Sequence, residues 1–475
     1  MIIVSGIVSA LGDLRLGSAY TFFVARGAAK KPLTGAFFIF RLAGFAALSM
    51  VIIFVSLELN WFPGYTEALW LFMLVPVLEV PSSVYGFLRI AEGKTAIAQI
   101  PGIVESGVRM SLIVFFAFQF SVSSLSSPGN QVALVTDMAI AYFVGALASI
   151  AVAYSVFLNI SFERFGSSLK DMFTFALPLM AAMLITYAVT TITPILMKIL
   201  TNSTSVVMVF SATNAFLILL LFLPTAVCTP LFPTLARMHV QGEMAALKAQ
   251  TRKAMRYTIM LLAPAILAVS VFRVDLLRIF YSSALVGQGQ WAMVIMAFSA
   301  IPITLFRITG TALDSVGMQK REFYVSIYQL VVLIISLVLL LHFLSSLWWV
   351  VGAAAALFLS SVAGVVMNAY YLHKNLPISF ELQSALVVLV SAGLTFFLFS
   401  STFLGYFNIH LPVDQAGGLL VVLAAGLVVY VCVLAATGEL TKQDVVDLSG
   451  TLGLPASIGK ALQKLCWRAS RPEKE

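Results

Sequence analysis

FYVSIYQLVVLIISLVLLLHFLS, residues 323–345, holds no Asp, Glu, Lys or Arg in 23 consecutive positions. Wound as a helix at about 1.5 Å per residue, such a run matches the roughly 30 Å hydrocarbon core of a bilayer. A second block, 347–372, follows almost at once, and the same texture continues toward both ends of the chain. The chain is 61% hydrophobic and 10% charged over 475 residues, with mean hydropathy +1.02. A soluble globular protein carries about 25% charged residues. No soluble core takes up that much apolar surface, so the sequence defines an all-α polytopic membrane protein.

Cutting the apolar blocks at their Gly, Pro and charged punctuation predicts thirteen spans: 3–25, 33–57, 67–88, 98–120, 132–158, 171–197, 204–230, 254–272, 290–312, 323–345, 347–372, 383–407 and 416–437. An odd number puts the two ends on opposite sides. Lys and Arg set the orientation. If the segment after the first span is cytoplasmic, that side receives 21 of the 28 basic residues, while the other side holds Lys198, Arg273 and Arg278. The predicted topology is N-terminus outside and C-terminus in the cytoplasm of a cell membrane. The net charge of +8 then reflects insertion and contact with anionic lipids, and requires no nucleic acid partner. No basic residue precedes Asp13 and further spans follow, so the opening segment reads as transmembrane and not as a signal peptide.

Two pairs of segments resemble each other at wide separation. GFLRIAEGK at 86–94 and GTALDSVGMQK at 310–320 each end an apolar helix with two glycines seven apart and a lysine beyond, 224 residues separating them. VARGAAKK at 24–31 and LARMHVQGE at 235–243 both place Ala-Arg at a helix exit, at an offset of 211. Their common order predicts two homologous bundles: six spans in 161–378, five in 1–160 with one helix missing at the start, and two added spans with a basic tail in 379–475. Prolines within or at the ends of the spans, among them Pro76, Pro178, Pro264 and Pro302, kink helices in a manner suited to a transporter that rocks about a central site.

Four arginines fall inside spans: Arg15, Arg41, Arg109 and Arg307. Each costs about 2.5–3.5 kcal/mol or more at the bilayer centre, so none is expected to face lipid there. Arg41 and Arg307 lie near a span end and either snorkel to headgroups or line a cavity. Arg15 and Arg109 lie too deep to snorkel and require an internal cavity or ion pair. Asp13, two residues from Arg15, points to another helix face. Glu105 precedes Arg109 by four, the favourable order for an intrahelical pair, which leaves open simple mutual neutralisation. The surplus of guanidinium suits a cargo that carries phosphate, whose oxygens the arginine fork grips bidentately.

Other signals are weak. The loops predicted outside are short, no P-loop is present, and no cofactor or enzymatic site is expected. Cys228, Cys432 and Cys466 have no metal or disulfide spacing, and the first two read as small buried hydrophobes. The basic stretch 236–257 reads either as an interfacial helix linking two spans or as a solvated loop helix. In the tail, Thr441 stands three before Asp444, an N-cap pattern for a short soluble helix.

IVSALGDLRLGSAYTFFVARG at 7–27, SLKDMFTFALPLMAAML at 168–184, the stretch 206–243, DLLRIFYSSALVGQGQWAMVIMAF at 275–298 and GELTKQDVVDL at 438–448 together resemble the polysaccharide transporter branch of the multidrug/oligosaccharidyl-lipid/polysaccharide exporter superfamily, which includes O-antigen flippases. The resemblance spans essentially the whole chain. It implies two helical bundles and a C-terminal pair, with the family's first helix lacking a counterpart here, as in an N-terminally truncated chain. TYAVTTITPILMKIL at 186–200 carries Thr191 and Thr193 where many relatives have an aspartate. The implied activity is outward flipping of a polyprenyl-phosphate- or pyrophosphate-linked oligosaccharide, with glycan-assembly enzymes as further partners. Arg15, Arg41 and Arg109, with Arg307, would then contact lipid phosphate, and Asp13 and Glu105 would orient them. The alternatives are an ion-coupled exporter of small amphipathic or cationic compounds from the drug-efflux branch, and a non-transporting membrane subunit.

Overall fold

A computed structural model gives the fold. It describes residues 16–25, 30–58, 64–119, 128–154, 166–280, 286–375, 382–398 and 416–446. Among these residues, the regular structure is entirely helical. The helices are α1 (Leu16–Ala25), α2 (Lys30–Glu58), α3 (Thr66–Leu78), α4 (Val80–Ala91), α5 (Ile100–Gln119), α6 (Pro128–Ala153), α7 (Gly166–Thr201) and α8 (Thr204–Val240). They continue with α9 (Met244–Val271), α10 (Arg273–Phe280), α11 (Val286–Ser315), α12 (Gln319–Phe343), α13 (Trp349–Asn375), α14 (Leu382–Leu398) and α15 (Ala416–Thr437).

Among the described residues, eight helical segments are long and apolar enough to cross a membrane, so the protein is a multi-pass membrane protein. They fall on the predicted second, third, fifth and seventh to eleventh spans. The remaining predicted spans contain helix too, but α1, α14 and the apolar part of α15 are short, and part of several spans lies outside the described residues. The third span is broken at Glu79, with Pro76 inside α3 and Pro81 in the first turn of α4. A proline in the first turn forfeits no helical hydrogen bond, so the chain bends there and continues.

Glycine closes four of the helices. Gly93, Gly242, Gly317 and Gly438 have φ of +80°, +75°, +87° and +71°, a region that side chains with a Cβ disfavour. After α4, the Lys94 amide donates to the Arg89 carbonyl at 2.8 Å and the Gly93 amide to Ile90 at 2.9 Å. After α11, the Met318 amide donates to Leu313 and the Gly317 amide to Asp314, both at 3.0 Å. The two segments paired by sequence therefore end in the same Schellman turn. The turn at Gly242 also corrects the reading of 236–257 as one linking helix. Residues 236–240 finish α8 and 244–257 begin α9, because a left-handed glycine stops one helix and the following Met-Ala-Ala-Leu run starts the next.

The chain resolves into two compact units. Unit 1 comprises Met1–Ile185, Thr229–Met244 and Leu313–Tyr324; unit 2 comprises Thr186–Cys228, Ala245–Ala312 and Val325–Glu475. The core of unit 1 is built on Leu16, Tyr20, Phe37, Phe72, Met73 and Val84, with the Tyr20 and Phe37 rings stacked at 4.9 Å. The main core of unit 2 draws on Phe210, Leu217, Leu262, Phe272, Met296 and Leu333, among others.

A second cluster in unit 2 packs Tyr257, Met260 and Ala263 of α9 against Val388 of α14, Tyr430 of α15 and Val445 beyond it. Here the predicted cap is present in full: the Asp444 amide donates to Thr441 Oγ1 at 3.2 Å, and Asp444 Oδ2 accepts from the Thr441 amide at 3.0 Å. Asp444 Oδ1 accepts from Tyr257 at 2.8 Å and from Arg256 Nη2, tying the tail to α9. Cys432 is an exposed free thiol and not the buried hydrophobe its apolar neighbours predicted, since it falls on the outward face of α15.

Candidate functional site

Asp13 and Arg15 lie outside the described residues. The other predicted site residues divide between the units. In unit 1, Phe37, Arg41 and Phe45 recur at four-residue intervals along α2 and so share one face. The Arg41 guanidinium carbon sits 5.4 Å from each of those two ring centroids and 5.3 Å from that of Phe87 on α4. With only 5% of its surface exposed, the side chain is folded into protein. Aromatic faces offset part of the cost of burying the cation. Gly17 of α1 makes this packing possible, because a Cβ there would come within 2.3 Å of the Phe87 ring.

On α5, Arg109 Nη1 donates to Glu105 Oε1 at 2.9 Å, the intrahelical pair that the spacing allows. The same guanidinium lies 4.7 Å from the Tyr142 ring centroid of α6. The two helices approach closely at Gly145, where a Cβ would meet the Glu105 carbonyl oxygen at 3.1 Å. Glu79, at the break between α3 and α4, lies within electrostatic reach of Glu105, Arg109 and Arg41. Two guanidiniums and two carboxyls are thus gathered in unit 1.

Unit 2 contains a cavity of about 360 Å³, at the lower end of the 300–1,000 Å³ typical of small-molecule sites. Its walls come from five helices: Val189 and Thr193 of α7, Phe210, Asn214, Leu217, Ile218, Leu221 and Phe222 of α8, Ile303, Phe306 and Arg307 of α11, Gln329 of α12, and Leu357 and Ser361 of α13. Phe210, Thr193, Gln329 and Ser361 are buried, while Ile218, Phe222 and Arg307 are exposed and form its rim. Arg307 is the charged member among these lining residues. Thr193 and Ser361 spend their hydroxyl protons on the Val189 and Leu357 carbonyls, at 3.1 and 2.8 Å. The Gln329 Oε1 atom is buried and has no hydrogen-bond partner among the described residues.

Reading for charge alone passes over Asn214 and Gln329. The available signal was modest: Gln329 is the one amide in the opening stretch 323–345, and Asn214 the one amide in the middle of α8. Nothing local tells a polar residue facing a cavity from one facing another helix. Among the described residues, no three or more His, Cys, Asp or Glu side chains gather as a metal site.

Multiple apolar helices in two compact units, one of them holding a cavity, define an all-helical polytopic membrane fold. No family model and no curated sequence matches the chain. Among solved structures, the fold matches a mutant of the Vibrio cholerae MATE transporter VcmN with TM-score 0.66 and 19% identity, over 79% of this chain and 88% of that one. It matches an outward-facing multidrug resistance MATE family transporter with TM-score 0.64 and 16% identity, over 79% and 86%. A MOP superfamily transporter from Pyrococcus furiosus matches with TM-score 0.63 and 16% identity, over 78% and 85%.

At these identities the likeness establishes the fold. It also corrects the resemblance drawn from sequence. The matched structures are MATE and MOP transporters, so the expected assignment to the polysaccharide flippase branch gives way, and with it the polyprenyl-linked glycan as cargo and the glycan-assembly enzymes as partners.

Proposed function

We propose that the protein exports small amphipathic molecules across a membrane by alternating access, driven by an ion gradient. One observation carries this reading: a fold shared with MATE transporters contains, in unit 2, an aromatic and aliphatic cavity sized for a small molecule. The bundle boundaries 1–160, 161–378 and 379–475, and the orientation with the N-terminus outside and the C-terminus in the cytoplasm, belong to the same proposal. Arg307 is assigned to cargo. Arg41, Glu105 and Arg109, joined by Glu79, are assigned to coupling, because gain or loss of one proton or cation upsets their charge balance in a low-dielectric setting. Asp13 and Arg15 are assigned to that charged set as well.

The test is transport by the purified full chain in proteoliposomes, using a panel of anionic, neutral and cationic fluorescent amphipaths under an imposed proton or sodium gradient. Movement above that in empty liposomes, dissipated with the gradient and slowed by Ile218→Trp at the cavity rim, is the expected result. If no compound moves under either gradient, the exporter reading is wrong.

A further inference from the structure

The buried wall of the unit 2 cavity offers hydrogen-bond acceptors to whatever enters it. We propose that it binds a neutral aromatic molecule of one or two rings that donates an N–H hydrogen bond, of the carboxamide or lactam type, with Gln329 as the acceptor. This inference rests on the exporter reading and narrows it to a substrate class.

Three observations lead to it. First, Gln329 is 4% exposed, and its Oε1 has no hydrogen-bond partner among the described residues. Buried amides are ordinarily satisfied, so an orphaned acceptor on a cavity wall marks a place that a ligand's donor completes. Second, the other buried polar side chains of the lining, Thr193 and Ser361, donate their hydroxyl protons to the Val189 and Leu357 carbonyls, at 3.1 and 2.8 Å. A hydroxyl has one proton, so what each of them keeps for a ligand is a lone pair. All three buried polar side chains therefore call for a donor.

Third, Gly364 brings this acceptor close to an aromatic ring. A Cβ there would lie 3.4 Å from the Gln329 amide carbon and 3.0 Å from the Phe306 ring, so its absence lets both pack against α13 at one place. A flat body lying on Phe306 then has the amide within reach. The volume of about 360 Å³ admits one or two rings. Charged heads fit this wall poorly. An ammonium would donate, but the lining holds neither Asp nor Glu to offset its burial. A carboxylate would face two hydroxyls whose protons are already committed. A carboxamide or lactam carries a donor and an acceptor side by side, and so complements the Gln329 amide in either of its orientations.

The experiment compares radiolabelled probes with one ring system, binding to the full chain in phosphatidylcholine nanodiscs: 2-naphthamide, its isosteric methyl ketone 2-acetylnaphthalene, 2-naphthoate and 2-naphthylmethylammonium. The ketone keeps the carbonyl and replaces the amide nitrogen by a methyl group, so it lacks only the donor. The native chain is expected to bind the amide at least about fivefold more tightly than the ketone, which leaves Oε1 unsatisfied. It is expected to bind both charged probes more weakly than the amide. Gln329→Met, similar in length and unable to accept a hydrogen bond of this strength, is expected to weaken the amide by about five- to tenfold. The ketone should change by less than about twofold, so that the preference disappears.

Equal binding of amide and ketone to the native chain would mean that Oε1 is served by water, and overturns the proposal. Tightest binding of the anion or of the cation overturns it too, as does an amide-to-ketone ratio that Gln329→Met leaves unchanged. Should that variant not fold, the native ratio decides. In proteoliposomes the two readings separate. Transport of a charged probe alone defeats this inference and spares the exporter, while selective naphthamide binding without transport of any compound spares the inference and defeats the exporter.

Discussion

Asp444→Ala should release the end of the chain from α9, and the effect can be sized from the contacts. Asp444 is 4% exposed and accepts hydrogen bonds from the Thr441 amide, Thr441 Oγ1, Tyr257 and Arg256. The Arg256 side chain is only 11% exposed. Truncating the carboxylate leaves a largely buried guanidinium and a buried phenol without an acceptor, and breaking a buried pair from one side costs about 3–5 kcal/mol. At the low end of that range the local opening equilibrium rises about 150-fold. Thr441→Val removes only the cap, for about 1 kcal/mol, or roughly a fivefold change.

Hydrogen–deuterium exchange of residues 441–446 in nanodiscs reads these differences directly. Exchange should quicken by about two orders of magnitude in Asp444→Ala and only several-fold in Thr441→Val. Adding Arg256→Met to Asp444→Ala should recover much of the loss, because no charge is then stranded. If Asp444→Ala exchanges like the native chain, or the double variant exchanges no more slowly than the single one, the ion pair does not hold the tail.

Two further outcomes test the packing. Gly145→Ala places a methyl 3.1 Å from the Glu105 carbonyl and 3.2 Å from Arg109 Cβ, forcing α5 away from α6; a loss of about 1–3 kcal/mol is expected, read as a lowered melting temperature in detergent. Gly317→Ala must hold φ near +87° with a Cβ present, at a cost of about 1–2 kcal/mol; the same substitution at Gly310, about two turns earlier, provides the control.

Part of the candidate site was legible in sequence. The Glu105–Arg109 spacing specified an intrahelical pair, and the pair is present at 2.9 Å. Arg41 and Arg307 were picked out as expensive residues in apolar spans, yet their surroundings differ completely: one is enclosed by three phenylalanines, two of them from its own helix, and the other stands at a cavity rim. Gln329 was passed over, since a lone amide in an apolar helix has an ordinary explanation.

By itself the sequence determined what short-range physics controls. Apolar runs matched to bilayer thickness required membrane helices, left-handed glycines fixed where several of them stop, and Thr441 with Asp444 built their own cap. What only the tertiary structure decided is which helices stand side by side: Phe87 over Arg41, Gln329 beside Phe306 and Ser361, Asp444 against Arg256, 188 residues away in sequence. In a bilayer the lipid tails satisfy an apolar helix face as readily as another helix does, so the hydrophobic pattern leaves helix partners unspecified. That choice rests on close packing at glycines and on polar contacts between distant segments, which become visible only when the chain is folded.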